Sequence, residues 1–243
     1  AMAIVLLVRV LDGGPISYEL GGWSPPWGIE YRIDVVNGFI LLLVAAIGAV
    51  VLLYAPSSVN REIPQGQHYL FYTAYLLSLT GLLGIAITGD AFNLFVFLEI
   101  SSLSSYTLIS LGRDRRALTA AYQYLVMGTI GATFILIGIG LMYMMTGTLN
   151  MADLADRLGP VRHTRTILAA FAFLSVGMCL KLALFPLHLW LPNAYAYAPS
   201  VVTAFLAATA TKVSIYVFLR FVFSIFGSDF AFDTLRFDAV LMP

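Results

Sequence analysis

The sequence has little charge and almost no cysteine for its length. Of 243 residues, 11% are charged, against about 25% in soluble domains, and Cys179 is the one thiol. A single cysteine excludes a disulfide framework, an iron–sulfur cluster and any multi-thiolate metal site. Thirteen basic and thirteen acidic residues cancel, so no net field exists that would gather nucleic acid. The sequence also lacks a phosphate-binding loop, a nucleophile elbow and a metal-ligand pattern, so it predicts no metal and no cofactor.

Apolar residues dominate what remains. They make up 60% of the chain, the mean hydropathy is +0.90, and six apolar segments reach the roughly 20 residues that a membrane span needs. These segments are 33–54, 68–89, 91–112, 117–146, 165–191 and 199–226. They are continuous rather than alternating, which excludes a membrane β-barrel. We therefore predict an all-α polytopic membrane protein.

The connections between the segments are polar. Residues 12–32 are rich in glycine and proline and predict an extended or hairpin-like loop at the membrane interface, and residues 55–67 predict a polar loop. The basic loop at 112–116 indicates the cytoplasmic side, although the arginines in 147–165 weigh against that orientation. The short apolar stretch at 2–8 is interpreted as the end of another membrane helix.

The positions of the charges are more informative than their number. Nearly all of the eleven arginines and twelve of the thirteen acidic residues lie in connections or near helix ends, whereas Lys181, Lys212 and Glu99 lie deep within apolar runs. At 1.5 Å per residue, Glu99 is about 12 Å and about 20 Å from the ends of its helix, and Lys212 is about 18 Å and about 21 Å from the ends of its own. The three groups are thus expected at one depth near the middle of the membrane.

If one of these charged side chains faced lipid, its insertion into the membrane would cost at least about 2.5–3.5 kcal/mol. We therefore expect Glu99, Lys181 and Lys212 to face one another, polar side chains or water. Side chains one or two turns away on the same helix faces are candidates to line such a site. These are Ser102, Tyr106, Thr209 and Tyr216.

The segment that carries Lys181 contains a helix-breaking residue. Pro186 removes one backbone hydrogen bond and clashes with the preceding turn, which predicts a break near 182–186. Unwound backbone at membrane depth occurs where protein or a wet cavity satisfies it, as in the ion and substrate sites of transporters. His188 lies just beyond the break and could relay protons.

Lysine, unlike arginine, can lose its proton when it is buried. We therefore infer that Lys181 and Lys212 exchange protons and that the charge of Glu99 biases Lys181. Two structural alternatives stay open. Glu99 and Lys181 could form a static interhelical ion pair, or the chain could be a non-transporting scaffold whose buried charges only orient helices.

Three stretches carry a resemblance to a known family. They are Gly-Asp-Ala-Phe-Asn-Leu-Phe-Val-Phe-Leu-Glu at 89–99, Lys-Leu-Ala-Leu-Phe-Pro-Leu-His-Leu-Trp-Leu-Pro at 181–192, and Ala198-Pro199 followed by Lys212. Over residues 12–226 the chain resembles the antiporter-like, proton-conducting membrane subunits of Mrp-type Na+/H+ antiporters, respiratory complex I and membrane-bound hydrogenases. The first stretch is most similar to the D-type subunit of Mrp antiporters, while Asn193 stands where complex I members usually have aspartate.

The resemblance implies a larger protein of about fourteen helices with two inverted five-helix repeats, each a half-channel. It divides this chain into a helix end and interfacial loop at 1–32, a membrane helix and loop at 33–67, a five-helix proton-channel repeat at 68–226, and a loop toward a second repeat at 227–243. It also assigns proton-transfer roles to Glu99, Lys181, Lys212 and His188.

The resemblance further implies a location in a bacterial or archaeal cell (inner) membrane and other membrane subunits as partners, with H+ and Na+ as the transported ions. The leading hypothesis is a proton-translocating subunit of an Mrp-type Na+/H+ antiporter. The alternative is a proton-pumping membrane-arm subunit of complex I (NADH-quinone oxidoreductase) or of a membrane-bound hydrogenase, in which other subunits would hold the redox centres.

Overall fold

The computed structural model describes residues 1–234, which are almost entirely helical. The helices are α1 (Met2–Gly13), α2 (Val35–Glu62), α3 (His68–Ile87), α4 (Ala91–Ser110), α5 (Arg116–Thr146), α6 (Met151–Val161), α7 (Arg165–Leu182), α8 (Trp190–Tyr197) and α9 (Ser200–Leu219). Two short 3-10 turns lie at Leu20–Gly22 and Gln65–Gln67, and π-helical turns follow α9 at Arg220–Phe226 and Asp229–Thr234. Six helices, namely α2, α3, α4, α5, α7 and α9 with its π-helical extension, are long and apolar enough to span a membrane. The predicted polytopic all-α fold is confirmed.

Polar residues just before the helices fix where they begin. Asp34 accepts hydrogen bonds from the amides of Val36 and Asn37 at the start of α2, and the Asn37 side chain accepts from the Asp34 amide. Asp90 accepts from the amide of Asn93 at the start of α4. These bonds satisfy backbone donors that have no partner within the helix, and such donors are expensive to leave unpaired near a membrane.

A β-hairpin and two loops are joined on one face of the helix bundle. Strands β1 (Ile16–Glu19) and β2 (Glu30–Ile33) pair antiparallel, as the hairpin-like prediction for this region required. Buried Glu30 accepts from the Ser17 hydroxyl at 2.6 Å and from the Asn150 amide at 2.9 Å. Backbone bridges also join Tyr31 to Thr88 and Asp90 to Asn150. The ends of α3, α4, α5 and α6 are therefore tied together here, and we call this side the hairpin face.

Helices α5 and α7 approach closely at a pair of glycines. A Cβ added at Gly177 would lie 2.7 Å from the carbonyl oxygen of Gly131, and one added at Gly131 would lie 3.2 Å from the carbonyl oxygen of Gly177. Small residues allow this kind of backbone contact between membrane helices. Since Gly177 is one turn before Lys181, the contact also fixes the depth and direction of that side chain.

Four predicted segments have different boundaries in the structure. The stretch at 2–8 is part of the longer helix α1, and α2 continues through Pro56 to Glu62, where we expected a loop. The extension is held by Glu62, which accepts from the Ser58 hydroxyl and from the backbone amide of Ser200.

The two other differences are a helix and a turn within predicted loops. The connection 147–165 contains α6, an amphipathic helix whose buried Leu154 and Leu158 are spaced one turn apart. The predicted loop at 227–243 contains the second π-helical turn, and its residues 235–243 lie outside the described part of the chain.

The glycine contact gives a direct test of the helix packing. Gly177→Ala should destabilise the protein by about 1–3 kcal/mol, because its methyl group would overlap the backbone of α5. Gly140→Ala is the matched control in α5, since a Cβ there meets nothing within 4 Å. Thermal unfolding of the purified membrane assembly measures both. Equal midpoints for the two variants would contradict the close approach.

Candidate functional site: a buried lysine beside a small cavity

Lys181 and Glu99 form an ion pair inside the helix bundle. The Lys181 Nζ lies 3.5 Å from Glu99 Oε1, and the side chains are 3% and 26% exposed. A shorter hydrogen bond of 2.7 Å runs from Nζ to the Ser102 hydroxyl. Two of the three deep charged groups are thus brought together, and Ser102 is the nearest polar partner of the amine.

A small cavity lined by both apolar and hydroxyl side chains adjoins the Lys181 amine. Its volume is about 20 Å³, which is enough for a single water molecule. Five hydroxyl side chains from α4 and α9 help to line it, and these are Ser101, Ser102, Ser105, Thr211 and Ser214. Ser101, Ser105 and Ser214 donate to carbonyls of their own helices and keep acceptor lone pairs, so the lining can help to solvate an ammonium group.

The break after Lys181 is present and is closed by specific hydrogen bonds. α7 ends at Leu182, and Ala183 adopts the left-handed conformation with φ 55°. The amide of Leu184 donates to the Cys179 carbonyl at 3.0 Å. The Trp190 indole N–H donates to the Leu180 carbonyl at 3.0 Å, so a side chain of α8 pairs with a carbonyl at the end of α7.

Aromatic side chains close the α5 side of this site. The Tyr124 ring stacks on Trp190 at 4.0 Å between centroids and meets Tyr106 edge-on at 4.6 Å. The Tyr106 hydroxyl lies where a Cβ of Gly128 would be, and Tyr106 also interacts with Ser102, the partner of the Lys181 amine. Tyr106 is not among the residues that line the Lys181 cavity, although we expected it there. Its ring turns toward α5, where the missing side chain of Gly128 leaves room.

Lys212 does not face Lys181 and Glu99, which is the first of the three environments that we expected for it. The residue is exposed on the outer side of α9 in the described part of the chain, and its Nζ donates to the Ala207 carbonyl. Residues Ala210, Thr211, Val213 and Ser214 of α9 line the Lys181 cavity instead. The position of a residue along a helix says nothing about the direction in which its side chain points, and neighbouring residues of a helix point about 100° apart.

Thr211 connects the two lysines and was not expected from the sequence. It lines the Lys181 cavity, and its Oγ1 also accepts a hydrogen bond of 3.3 Å from the Lys212 Nζ. The signal was a hydroxyl residue directly before a deep lysine. Partners of Lys212 were expected at spacings of three and four residues, and an adjacent residue falls outside those spacings.

The remaining predicted residues lie elsewhere. Thr209 is fully buried and donates to the Phe205 carbonyl of its own helix, so it is not in the cavity lining. His188 lies between α7 and α8, and its buried Nδ1 has no hydrogen-bond partner among residues 1–234. Pro186 lies within the non-helical connection. Tyr216 lies on the Lys212 side of α9, where its hydroxyl accepts a hydrogen bond from the side chain of Arg220.

A second, larger cavity of about 510 Å³ lies at the hairpin face. Four charged side chains help to line it, and these are Arg32, Asp34, Asp156 and Arg220. Arg220 donates a hydrogen bond to Asp34. Burial would raise the pKa of Asp34, but the bonds from Arg220 and from the amides of Asn37 and Val36 outweigh it and hold the pKa below its ordinary value. Asp34 is therefore ionised at neutral pH.

Comparison with known proteins shows consistent similarity. The transmembrane family described as "NADH:quinone oxidoreductase/Mrp antiporter, TM" matches residues 88–236. The chain is 48% identical over 221 residues to the N subunit of NADH-quinone oxidoreductase from Desulforudis audaxviator (strain MP104C), which covers 91% of this chain and 44% of that protein. It is 35% identical over 228 residues to the D-type Na(+)/H(+) antiporter subunit of Alkalihalophilus pseudofirmus (strain ATCC BAA-2126 / JCM 17055 / OF4), covering 94% and 46%.

A solved structure gives the same result. The chain superposes with a TM-score of 0.89 and 32% identity on a chain of the membrane-bound sulfane sulfur reductase, an archaeal respiratory membrane complex, over 99% of this chain and 48% of that one. The chain thus spans about half the length of the relatives that it matches. The similarity to a D-type antiporter subunit, expected from residues 89–99, is present, but the oxidoreductase relative has the higher identity of the two.

Proposed function

This chain belongs to the NADH:quinone oxidoreductase/Mrp antiporter transmembrane family, and from that premise we propose that it translocates protons as one component of a multisubunit membrane complex. The observation that carries the proposal is the position of Lys181. Its amine is buried at the end of a broken helix, with a carboxylate at 3.5 Å and a cavity of hydroxyl groups beside it. Burying polar and charged groups within a membrane costs free energy, and such groups are retained there mainly where they serve transport.

Proton exchange takes place at the Lys181 Nζ. In the charged state the amine donates to Ser102 and Glu99, and both partners stabilise the ammonium form. On deprotonation the proton leaves toward the hydroxyl groups of the cavity, and the neutral amine remains hydrogen-bonded to Ser102. Movement of Glu99 would shift the equilibrium between the charged and the neutral Lys181 amine, because the attraction between opposite charges is strong where water is scarce.

The second half of the path runs from the cavity to Lys212. The Thr211 hydroxyl accepts a proton on one lone pair while it releases its own, so it can pass a proton between the cavity and the Lys212 Nζ. The route therefore consists of Lys181, the cavity, Thr211 and Lys212. Its support is the double position of Thr211, which lines the cavity and contacts the second amine.

Lys181 variants test the function itself. Lys181→Ala should lower proton translocation by about a hundredfold or more in vesicles that contain the intact complex, because the exchanging group is removed. Lys181→Arg should be equally inactive, since arginine keeps the charge beside Glu99 but does not release its proton. Proton transport is followed with a pH-sensitive dye. Undiminished transport by Lys181→Ala, in complex of normal abundance, would refute the proposal.

Thr211 variants test the connection between the lysines. Thr211→Val keeps the side-chain shape but removes the hydroxyl, and it should slow translocation by about tenfold. Thr211→Ser should retain transport. Thr209→Val is the matched control, because the Thr209 hydroxyl donates only along its own helix. If Thr211→Val and Thr209→Val transport equally well in the same vesicle assay, the proton does not pass through Thr211.

Two driving systems are candidates, and each has support. Exchange of Na+ for H+ was our sequence-based hypothesis, and the similarity to a D-type antiporter subunit favours it. Redox-driven pumping is the second candidate, because the identity to an oxidoreductase N subunit is higher. If the complex is an antiporter, an imposed Na+ gradient should drive proton movement without any electron donor. If it is redox-driven, proton movement should require quinone turnover. Measuring both in one vesicle preparation separates them.

A further inference from the structure

Trp190 contacts the lysine site from α8. Its side chain is buried and helps to line the cavity beside the Lys181 amine. Its indole N–H donates to the carbonyl of Leu180, the residue directly before Lys181, at 3.0 Å. Proton exchange at the Lys181 amine uses neither the indole nor this hydrogen bond, although the bond ends one residue away from the lysine.

The indole is held in one orientation by α5 and carried by α8. Its ring stacks on the Tyr124 ring with 4.0 Å between centroids and an angle of 5° between the ring planes. Trp190 is the first residue of α8, a helix of eight residues that follows the non-helical connection 183–189. The position of α8 therefore decides whether the indole reaches the end of α7.

The carbonyl that accepts the indole N–H belongs to the negative end of a helix. The last carbonyls of an α-helix have no amide partner within the helix and carry a partial negative charge, which stabilises a nearby cation. The Leu180 carbonyl accepts from the Ala183 amide at 3.3 Å and from the indole at 3.0 Å. Lys181 lies in this last turn. A donor on the Leu180 carbonyl therefore reduces the negative potential that favours the ammonium form of Lys181.

The titratable groups around the Lys181 amine come from α4 and α5. They are the Glu99 carboxylate at 3.5 Å, the Tyr106 phenol that interacts with Ser102, and the Tyr124 phenol in the cavity lining. Of the described residues of α8 and α9, those that line the cavity carry no titratable side chain. Glu99 favours the charged amine, whereas the neutral indole acts in the opposite direction by occupying a backbone carbonyl.

We propose that Trp190 is a positioning residue that lowers the proton affinity of the Lys181 amine by donating a hydrogen bond to the Leu180 carbonyl. The indole acts through the backbone of α7 and not on the transferred proton itself. Because α8 carries the indole, a displacement of α8 that breaks this bond makes Lys181 hold its proton more tightly. This role rests on the function proposed above, since it supposes that Lys181 exchanges protons.

Trp190→Phe tests the role in vesicles that contain the intact complex. Phenylalanine keeps an aromatic ring beside Tyr124 but lacks the N–H group. The rate of proton translocation is measured at a series of pH values. The whole pH profile should move to higher pH by about half a unit to one unit, the shift that corresponds to the loss of one hydrogen bond.

Tyr75→Phe is the matched control. It also removes a hydrogen bond from a buried aromatic side chain to a backbone carbonyl, because the Tyr75 hydroxyl donates to the Gly48 carbonyl at 2.7 Å, but this bond joins α3 to α2. A loss of stability alone would lower the amount of complex in either variant and would leave both pH profiles in place. Tyr124→Leu is a second test variant. It leaves the indole N–H present but removes the ring that orients it, so its profile should move in the same direction by a smaller amount.

The outcomes separate this role from the proposed function. A profile that moves to higher pH in Trp190→Phe and stays in place in Tyr75→Phe supports the role. Unchanged profiles in both Trp190→Phe and Tyr124→Leu, a shift to lower pH, or an equal shift in Tyr75→Phe would overturn it and leave proton exchange at Lys181 intact. Undiminished translocation by Lys181→Ala would instead refute the proposed function, and this role with it.

Discussion

The burial of the Lys181 amine is the constraint on which the rest of the site depends. Placing an ammonium group in the apolar interior of a membrane costs several kcal/mol unless nearby groups solvate it. In this chain a carboxylate at 3.5 Å, a hydroxyl at 2.7 Å and a cavity of further hydroxyls provide that solvation. They come from α4 and α9, so the amine also fixes which faces of these helices can meet.

The backbone around Lys181 is adapted to the same task. Gly177 brings α7 into contact with α5 one turn before the lysine, and the helix ends one residue after it. The unwound stretch leaves backbone groups that need partners, and the Trp190 indole supplies one of them. The helix packs closely against α5 before the lysine and is interrupted after it. The Lys181 amine is therefore held firmly but borders a small cavity. That combination suits a group that must exchange a proton without opening the membrane.

The sequence predicted the pairing of Glu99 with Lys181 better than the direction in which Lys212 points. Glu99 and Lys181 were expected to meet because each lies too deep in its apolar segment to reach water alone. That expectation does not depend on how α4 and α7 are rotated about their axes. Lys212 lies equally far inside its apolar segment but points away, since packing against α2 and α7 decides how α9 is turned. The hydroxyl of Thr211 and the pair of Asp34 with Arg220 depend on contacts between distant parts of the chain, which no local pattern indicates. Helix α6 had a local signal, two leucines one turn apart after an asparagine cap, within a stretch that we interpreted only by its charges.

The central claim is that Glu99 and Lys181 are kept in the membrane to exchange protons rather than to hold helices together. The most direct measurement is proton translocation by the double variant Glu99→Gln/Lys181→Gln, in which no unpaired charge is left behind. A complex that assembles in normal amount but does not translocate protons is the predicted result. A complex that assembles and translocates at the rate of the unmodified protein would show that the pair is structural and would contradict this account.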